Sequence, residues 1–156
     1  MNFRLRDFQA GDFEPLYRLD QECFPPGISY SRRDLTHYLR MRGAFTVVAE
    51  SQSKPLEIAG FIVARRVAKG MGHVITLDTL AKFRRNGLGT LLMNAVEERF
   101  ISSGCHAIIL ETAVDNAPAI AFYKCLGYFV LKTIPRYYQG RLDAFMMAKR
   151  IGEREV

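Results

Sequence analysis

The stretch FRRNGLGT, residues 83–90, decides how this chain is to be read. It follows the strand-like run HVITLDTL, residues 73–80. After it, Leu88, Leu91, Leu92, Ala95, Val96 and Phe100 recur at three- and four-residue intervals, which predicts an amphipathic helix. A helix that opens directly after a strand presents free backbone N–H groups and the positive end of its dipole, and so attracts phosphate. Gly87 and Gly89 would let the backbone approach a ligand closely. Arg84 and Arg85 add permanent positive charge and forked donors. Ordinary strand-to-helix turns also use glycine, so the stretch alone reads equally well as a phosphate cradle or as a plain turn.

Two nucleotide motifs are excluded directly. A P-loop needs Gly-Lys-Ser/Thr, whereas Gly89 is followed by Thr90 and Leu91; a dinucleotide fingerprint needs a small residue where Leu92 stands.

Working outward, Ser102-Ser103-Gly104 closes the helix and HAIILET, residues 106–112, reads as the next strand. Asp115-Asn116-Ala117-Pro118 is a strong helix start, because a side-chain oxygen can cap free N–H groups and proline is tolerated in the first turn. That helix carries Ile120, Phe122, Tyr123 and Leu126, with Phe122 expected in the core, and stops at Gly127. Strand, helix, strand around the glycines implies a parallel crossover inside a mixed sheet covered by both helices.

Upstream, FTVVAE from Phe45 and IAGFIVARRV from Ile58 read as antiparallel neighbours. Before them come a strand and two helices. Asp12 is expected to cap the first helix and Glu14 to pair with Arg18, before Cys23-Phe24-Pro25-Pro26-Gly27 breaks it. Ser31 with Asp34 resembles a capping box for the second, whose buried stripe is Leu35, Tyr38 and Leu39 and whose end is expected at Gly43. YFVLKTI and LDAFMMAKRI finish the chain as strands. The order β-α-α-β-β-β-α-β-α-β-β predicts an α/β (α+β) fold, with a mixed, mostly antiparallel central sheet flanked by helices.

With 156 residues and 49% hydrophobic content, residues 1–156 suffice for a single domain with its own core. No run of about 18 apolar residues occurs, so no membrane association is expected and the cytoplasm is the expected location. Cys23, Cys105 and Cys125 leave one thiol unpaired under any disulfide scheme and read as buried free thiols. The scattered His37, His73 and His106 lack zinc-site spacing, so no metal is expected. A net charge of +6 favours an anionic ligand or partner. No RNA-binding or helix-turn-helix signature accompanies it, and no nucleic acid is expected. Oligomeric state is left open.

The pattern R-x-x-G-x-G, as Arg84, Gly87 and Gly89 between strand and helix, resembles the GNAT acetyltransferase superfamily. NAPAIAFYKCLGY, residues 116–128, resembles that superfamily's second cofactor motif. The resemblance implies acetyl-CoA as cosubstrate, with its pyrophosphate on the turn formed by Arg84, Arg85, Asn86, Gly87, Leu88, Gly89 and Thr90. It also implies a splayed parallel strand pair, with backbone groups of Leu77, Asp78 and Thr79 offered to the pantetheine arm and acetyl carbonyl, and Asn116 and Tyr123 facing the same groove. Tyr123 would protonate the departing sulfur; packing in the helix core is the alternative role.

LETAVDNAPAIAFY and IPRYYQGRLDAFMM are similar to segments of bacterial ribosomal-protein N-terminal acetyltransferases. That likeness implies the N-terminal α-amine of a protein or peptide as acceptor, a ribosomal protein among the candidates. It places Glu111, a carboxylate on an otherwise buried strand, as general base. Tyr137 and Tyr138 would belong to a loop closing over the substrate, with Phe24, Pro25 and Tyr30 on the opposite wall and His73 at a substrate-contact position. His73 as a plain edge-strand residue is the alternative. Two departures stand out: Ala81-Lys82 replaces a proline-containing turn, and Asp78 places an acid beside the expected thioester. The competing functional readings are acetylation of a small amine, and a non-catalytic acyl-CoA-binding domain.

Overall fold

The computed structural model describes residues 2–152. One seven-stranded sheet runs through it in the order β1-β2-β3-β4-β5-β7-β6. Its strands are β1 (Phe3–Asp7), β2 (Ala44–Ser51), β3 (Ile58–Val67), β4 (Met71–Thr79), β5 (Ala107–Ala113), β6 (Phe129–Tyr138) and β7 (Leu142–Arg150). Every neighbouring pair is antiparallel except β4 and β5, which are parallel. The helices are α1 (Phe13–Cys23), α2 (Arg32–Arg40), α3 (Leu88–Ser102) and α4 (Ala117–Cys125). The expected element order is therefore observed, with the crossover α3 joining the parallel pair.

Alternation along the strands divides the core between two faces. Val48, Phe61 and Val63 pack with Leu16 and Leu19 of α1 and Leu35 of α2. Val47, Ala49, Ile62 and Ala64 pack on the other side with Leu88, Leu92, Met93, Val96 and Phe100 of α3, and with Tyr123 of α4. Leu91, expected on the α3 stripe, is instead exposed, and Met93 takes the buried place. Among the described residues no helix is long and apolar enough to cross a membrane.

Several local expectations change. Asp12 does not cap α1 with its side chain; its carboxylate turns back to the Gln9 N–H at 2.8 Å and to Arg6 at 2.7 and 2.8 Å, closing a short 3-10 turn instead. Glu14 pairs with Arg32 of α2 rather than with Arg18, a contact that joins two helices instead of supporting one. The Ser31 hydroxyl accepts from the Asp34 N–H, as the capping pattern predicts. α2 ends at Arg40, and Gly43 (φ +79°) shapes the turn into β2 rather than the cap itself. Of the three free thiols only Cys105 is buried; Cys23 is half-buried and Cys125 exposed, because the last turn of α4 faces outward there.

The sheet's most consequential irregularity lies in β4. Val63 pairs with Thr76 and the next β3 residue, Ala64, with Val74, so Ile75 is an extra residue bulged out of the ladder. A bulge moves the following side chains to the opposite face and bends the strand. Pairing between β4 and β5 stops at the same place: the last partners are Val74 and Leu110. Beyond them β4 continues to Thr79 and β5 to Ala113 without pairing to each other, and the sheet opens.

Candidate active site

The candidate phosphate site is the turn FRRNGLGT between β4 and α3. After β4, Ala81–Phe83 form a 3-10 turn, and the Phe83 ring is buried against the Phe3 ring at 5.7 Å. The next four residues stay exposed. Gly87 stands at the N-cap of α3 with φ +75°, a conformation L side chains rarely adopt, and no side chain caps the helix. Nothing lies within 4 Å of where a Gly87 side chain would start. The first intrahelical bond runs from Leu91 N–H to Gly87 O, leaving the Leu88, Gly89 and Thr90 N–H groups outside the helical ladder. These donors, open space and the exposed Arg84 and Arg85 fit a pyrophosphate.

The two glycines do different work. A Cβ at Gly89 would sit 3.0 Å from Cζ of Phe122, on the side of the turn that faces α4, while the Gly89 N–H stays among the free donors of the α3 N-terminus. Its bareness lets α4 close on α3. Arg84 bends its Nε to the Thr79 carbonyl at 3.3 Å, with a guanidinium nitrogen 3.9 Å from Cys23 Sγ. Asn86 spends its side chain on the carbonyls of Phe83 and Arg84, holding the turn in shape.

Beyond the splay stands α4. Asn116 caps it, its Oδ1 accepting from the Ala119 N–H at 3.2 Å. Tyr123, two turns on, is 9% exposed and more buried than Phe122, reversing the expectation that Phe122 is the core residue. Its ring packs edge-on between Phe122 at 5.2 Å and Tyr128 at 5.9 Å. Burial above all, with the nearby Asp78 second, holds its hydroxyl well above the usual phenol range, so it stays protonated. Leu77 packs against the core of the α3 face, and the Thr79 carbonyl also accepts from Cys23 Sγ at 3.3 Å. Burial, with Asp78 and against Arg84, pushes the Cys23 thiol up to about 12, so it is not a nucleophile at neutral pH.

On the α1–α2 side of the sheet, Tyr30, Tyr38, His73, Ile75, Glu111, Tyr137 and Tyr138 line a small pocket of about 60 Å³. Its polar centre joins the two diverging strands. His73 Nε2 lies 2.9 and 2.8 Å from the two Glu111 oxygens, and the Tyr137 hydroxyl donates to Glu111 Oε1 at 3.2 Å. The geometry follows from register: His73 pairs with Ile109, and Glu111 is two residues further along the same face of β5. β4 is an interior strand, so the edge-strand alternative for His73 falls.

The Tyr30 hydroxyl reaches the bulged Ile75 carbonyl at 3.4 Å, and its ring lies 4.9 Å from that of Tyr38. Tyr137 and Tyr138 end strand β6 instead of occupying a loop. Positive φ at Arg136 (+52°) and the Arg136 N–H bond to Asp143 at 2.8 Å kink that strand over the pocket. Burial raises the hydroxyls of Tyr30, Tyr137 and Tyr138 above the phenol range. Phe24 and Pro25 do not line the pocket. Phe24 terminates α1 through its N–H to Asp20, and the Pro25 carbonyl accepts from Ile28 and Ser29.

Sequence reasoning missed Tyr38 and Ile75. Tyr38 was legible only as part of a buried helical stripe, and no residue pattern marks a bulge at Ile75. Among the described residues no group of three His, Cys, Asp or Glu is placed to hold a metal ion.

The model of the Acetyltransferase (GNAT) family matches residues 13–128, and the chain belongs to that family. It is an N-acetyltransferase, with acetyl-CoA as its cosubstrate. It is 28% identical over 162 residues to an N-alpha-acetyltransferase of Sulfurisphaera tokodaii, covering 94% of this chain and 92% of the relative. Ard1 from Thermoplasma volcanium has the same fold, at a TM-score of 0.88 and 24% identity over 98% of this chain and 100% of that one. So has the ribosomal-protein-S18-alanine N-acetyltransferase from Escherichia coli, at 0.86 and 20% identity over 99% and 97%.

Proposed function

We propose that residues 1–156 act as one acetyltransferase domain, in the cytoplasm, on the N-terminal α-amino group of a protein or peptide. The observation that carries this reading is the pocket around His73 and Glu111. Its walls are aromatic, it is small, at about 60 Å³, and its one carboxylate is already engaged by His73. An amine with one small side chain suits it; an antibiotic ring does not, and a polyamine would want further acids for its further charges. The N-alpha-acetyltransferases among the relatives support the same choice, and a ribosomal protein is the first candidate acceptor.

Acetyl-CoA supplies an activated thioester. The α3 N-terminus and Arg84 and Arg85 bind its pyrophosphate, and the unpaired ends of β4 and β5 admit the arm between them. Glu111, held by His73 and Tyr137, takes the proton that leaves the amine as the C–N bond forms. Tyr123 gives its proton to the sulfur as the C–S bond breaks. An α-amine favours this chemistry, since its pKa of about 8 leaves far more of it neutral near pH 7 than a lysine at about 10.4.

The test offers acetyl-CoA with free-N-terminus peptides, the same peptides N-blocked but bearing lysine, and small amines, reading thiol release and product mass. Acetylation of the free peptides is expected. Activity confined to small amines would overturn the reading in favour of small-amine acetylation.

A further inference from the structure

Two carboxyl groups outside the pocket are entirely buried: Asp20 on α1 and Asp78 on β4, each 0% exposed. Each has one oxygen satisfied. The Thr76 hydroxyl donates to Asp78 Oδ1 at 2.6 Å, and the Tyr30 N–H donates to Asp20 Oδ2 at 2.7 Å. The remaining oxygens, Asp20 Oδ1 and Asp78 Oδ2, are buried without a hydrogen-bond partner, and Asp20 is the side chain that acts most on Asp78, through a hydrogen bond that exists only if a proton lies between them. Two dry carboxylates in contact cannot both be ionised, whereas one proton between them satisfies every oxygen in the chain. Thr76 would donate to Asp78, Asp78 to Asp20, and the Tyr30 N–H would fill the last acceptor.

We propose that Asp20 and Asp78 share one proton, carried by Asp78, and that this positioning pair fastens the segment bearing Tyr30 to the strand that receives the acetyl thioester. The Ile75 bulge makes the pairing possible, because it turns Thr76 and Asp78 toward α1. The same proton answers the difficulty Asp78 raised in the sequence: protonated, it sets no anion beside the sulfur on which negative charge develops before Tyr123 protonates it. The titratable groups facing the pair are Cys23 at the end of α1, with Arg84 against it, Tyr30, and Tyr123 of α4. Burial, then Asp20, raises Asp78 well above the usual carboxyl range, in keeping with the missing proton donor.

The sign of the linkage is fixed by this arrangement. A carboxyl whose folded pKa is raised keeps its proton where the unfolded chain has lost it. Its contribution to stability therefore declines as pH rises from about 4 through its folded value. Across that window the unfolding equilibrium constant gains a factor of about ten per pH unit from this group alone.

The test of the shared proton needs no substrate, so it can fail separately from the N-terminal acetylation reading, on which the positioning part of this proposal rests. Infrared difference spectra of the whole protein at neutral pH, wild type against Asp78→Asn, should show the C=O stretch of a protonated carboxylic acid in wild type alone. Denaturant unfolding between pH 5 and 8 should show the wild type weakening with pH relative to Asp78→Asn, whose amide donates to Asp20 without titrating. Absence of the band, together with parallel pH profiles, would overturn the shared proton. For the positioning role, Asp20→Ala should raise the peptide KM at least fivefold with less than twofold change in CoA affinity, and Asp20→Asn should restore KM because its carbonyl still accepts the Tyr30 N–H. Equal losses of CoA and peptide affinity, or no rescue by Asn, would make Asp20 a packing residue only.

Discussion

Glu111→Gln isolates the charge of the proposed base from its shape. The side chain is 11% exposed and accepts from His73 through both oxygens and from Tyr137 through one. Glutamine fills the same space and keeps one carbonyl oxygen for these donors. What it loses is a charge-assisted bond, costing about 1.5–3 kcal/mol of stability, and any capacity to take a proton. Losing a positioned general base typically costs a factor of about 10² to 10⁴, or about 2.7–5.4 kcal/mol of barrier at 1.36 kcal/mol per decade.

Thiol release with a free-N-terminus peptide should therefore fall by at least about 100-fold in kcat/KM, while CoA affinity, measured by titration, stays within about threefold because Glu111 lies on the far side of the splay from the phosphate turn. The pH profile supplies a second readout. In the variant the remaining dependence below neutrality should be that of the amine alone, with an apparent pKa of about 8 for an α-amine. A variant retaining more than a third of wild-type kcat/KM with an unchanged profile would refute the base assignment and leave Glu111 as a strut between His73 and Tyr137.

Tyr123→Phe removes only the hydroxyl of a buried ring, so kcat should fall about 10²-fold or more while CoA affinity, read by calorimetry, is retained; equal losses in both would make the residue a packing or binding element. Arg84→Ala removes an exposed cation beside the α3 N-terminus, and CoA should bind about tenfold more weakly, about 1.4 kcal/mol, with the loss shrinking in high salt; unchanged Kd would remove Arg84 from the phosphate site. Asp12→Asn tests an acid-sensitive tie between β1 and α1. The two Arg6 bonds to Asp12, ahead of burial opposing them, hold this carboxyl below its usual range. Its stabilisation is thus present above the unfolded value and lost as pH falls through the folded one. Urea unfolding should show the variant about 1–3 kcal/mol less stable at pH 7, with the gap closing as pH falls from about 5 through the lowered folded value; a constant gap would deny the linkage.

Periodicity and turn chemistry carried most of the architecture because they are local. The strand runs, the α3 stripe, the Ser31 cap and the Asn116-Ala117-Pro118 start all state their conformation within a few residues. The misplacements have a shared cause in tertiary competition. Asp12 had a nearer helix to cap, but Arg6 on β1 offered its carboxylate a charged partner. Phe122 is the more apolar residue, but Gly89 opens a shallow seat for it and leaves Tyr123 to point inward. Glu111 and Tyr123 could be singled out through motif resemblance; Tyr38, Ile75 and Asp20 could not, since their placement depends on a bulge and on contacts between elements far apart in the chain.

The bulge links the parts of the site more closely than any motif does. One extra residue in β4 coincides with the end of its pairing with β5, where the sheet opens, and it bares the Ile75 carbonyl that receives the Tyr30 hydroxyl. It also turns Thr76 and Asp78 toward α1, where Asp20 holds the Tyr30 backbone. His73 precedes the bulge and keeps the original facing, so it meets Glu111 across the strands just before they part. The opening between β4 and β5 and the pocket at His73 and Glu111 therefore meet at a single irregularity. In the proposed reading FRRNGLGT receives the phosphates, and the bulge sets where the thioester meets the amine.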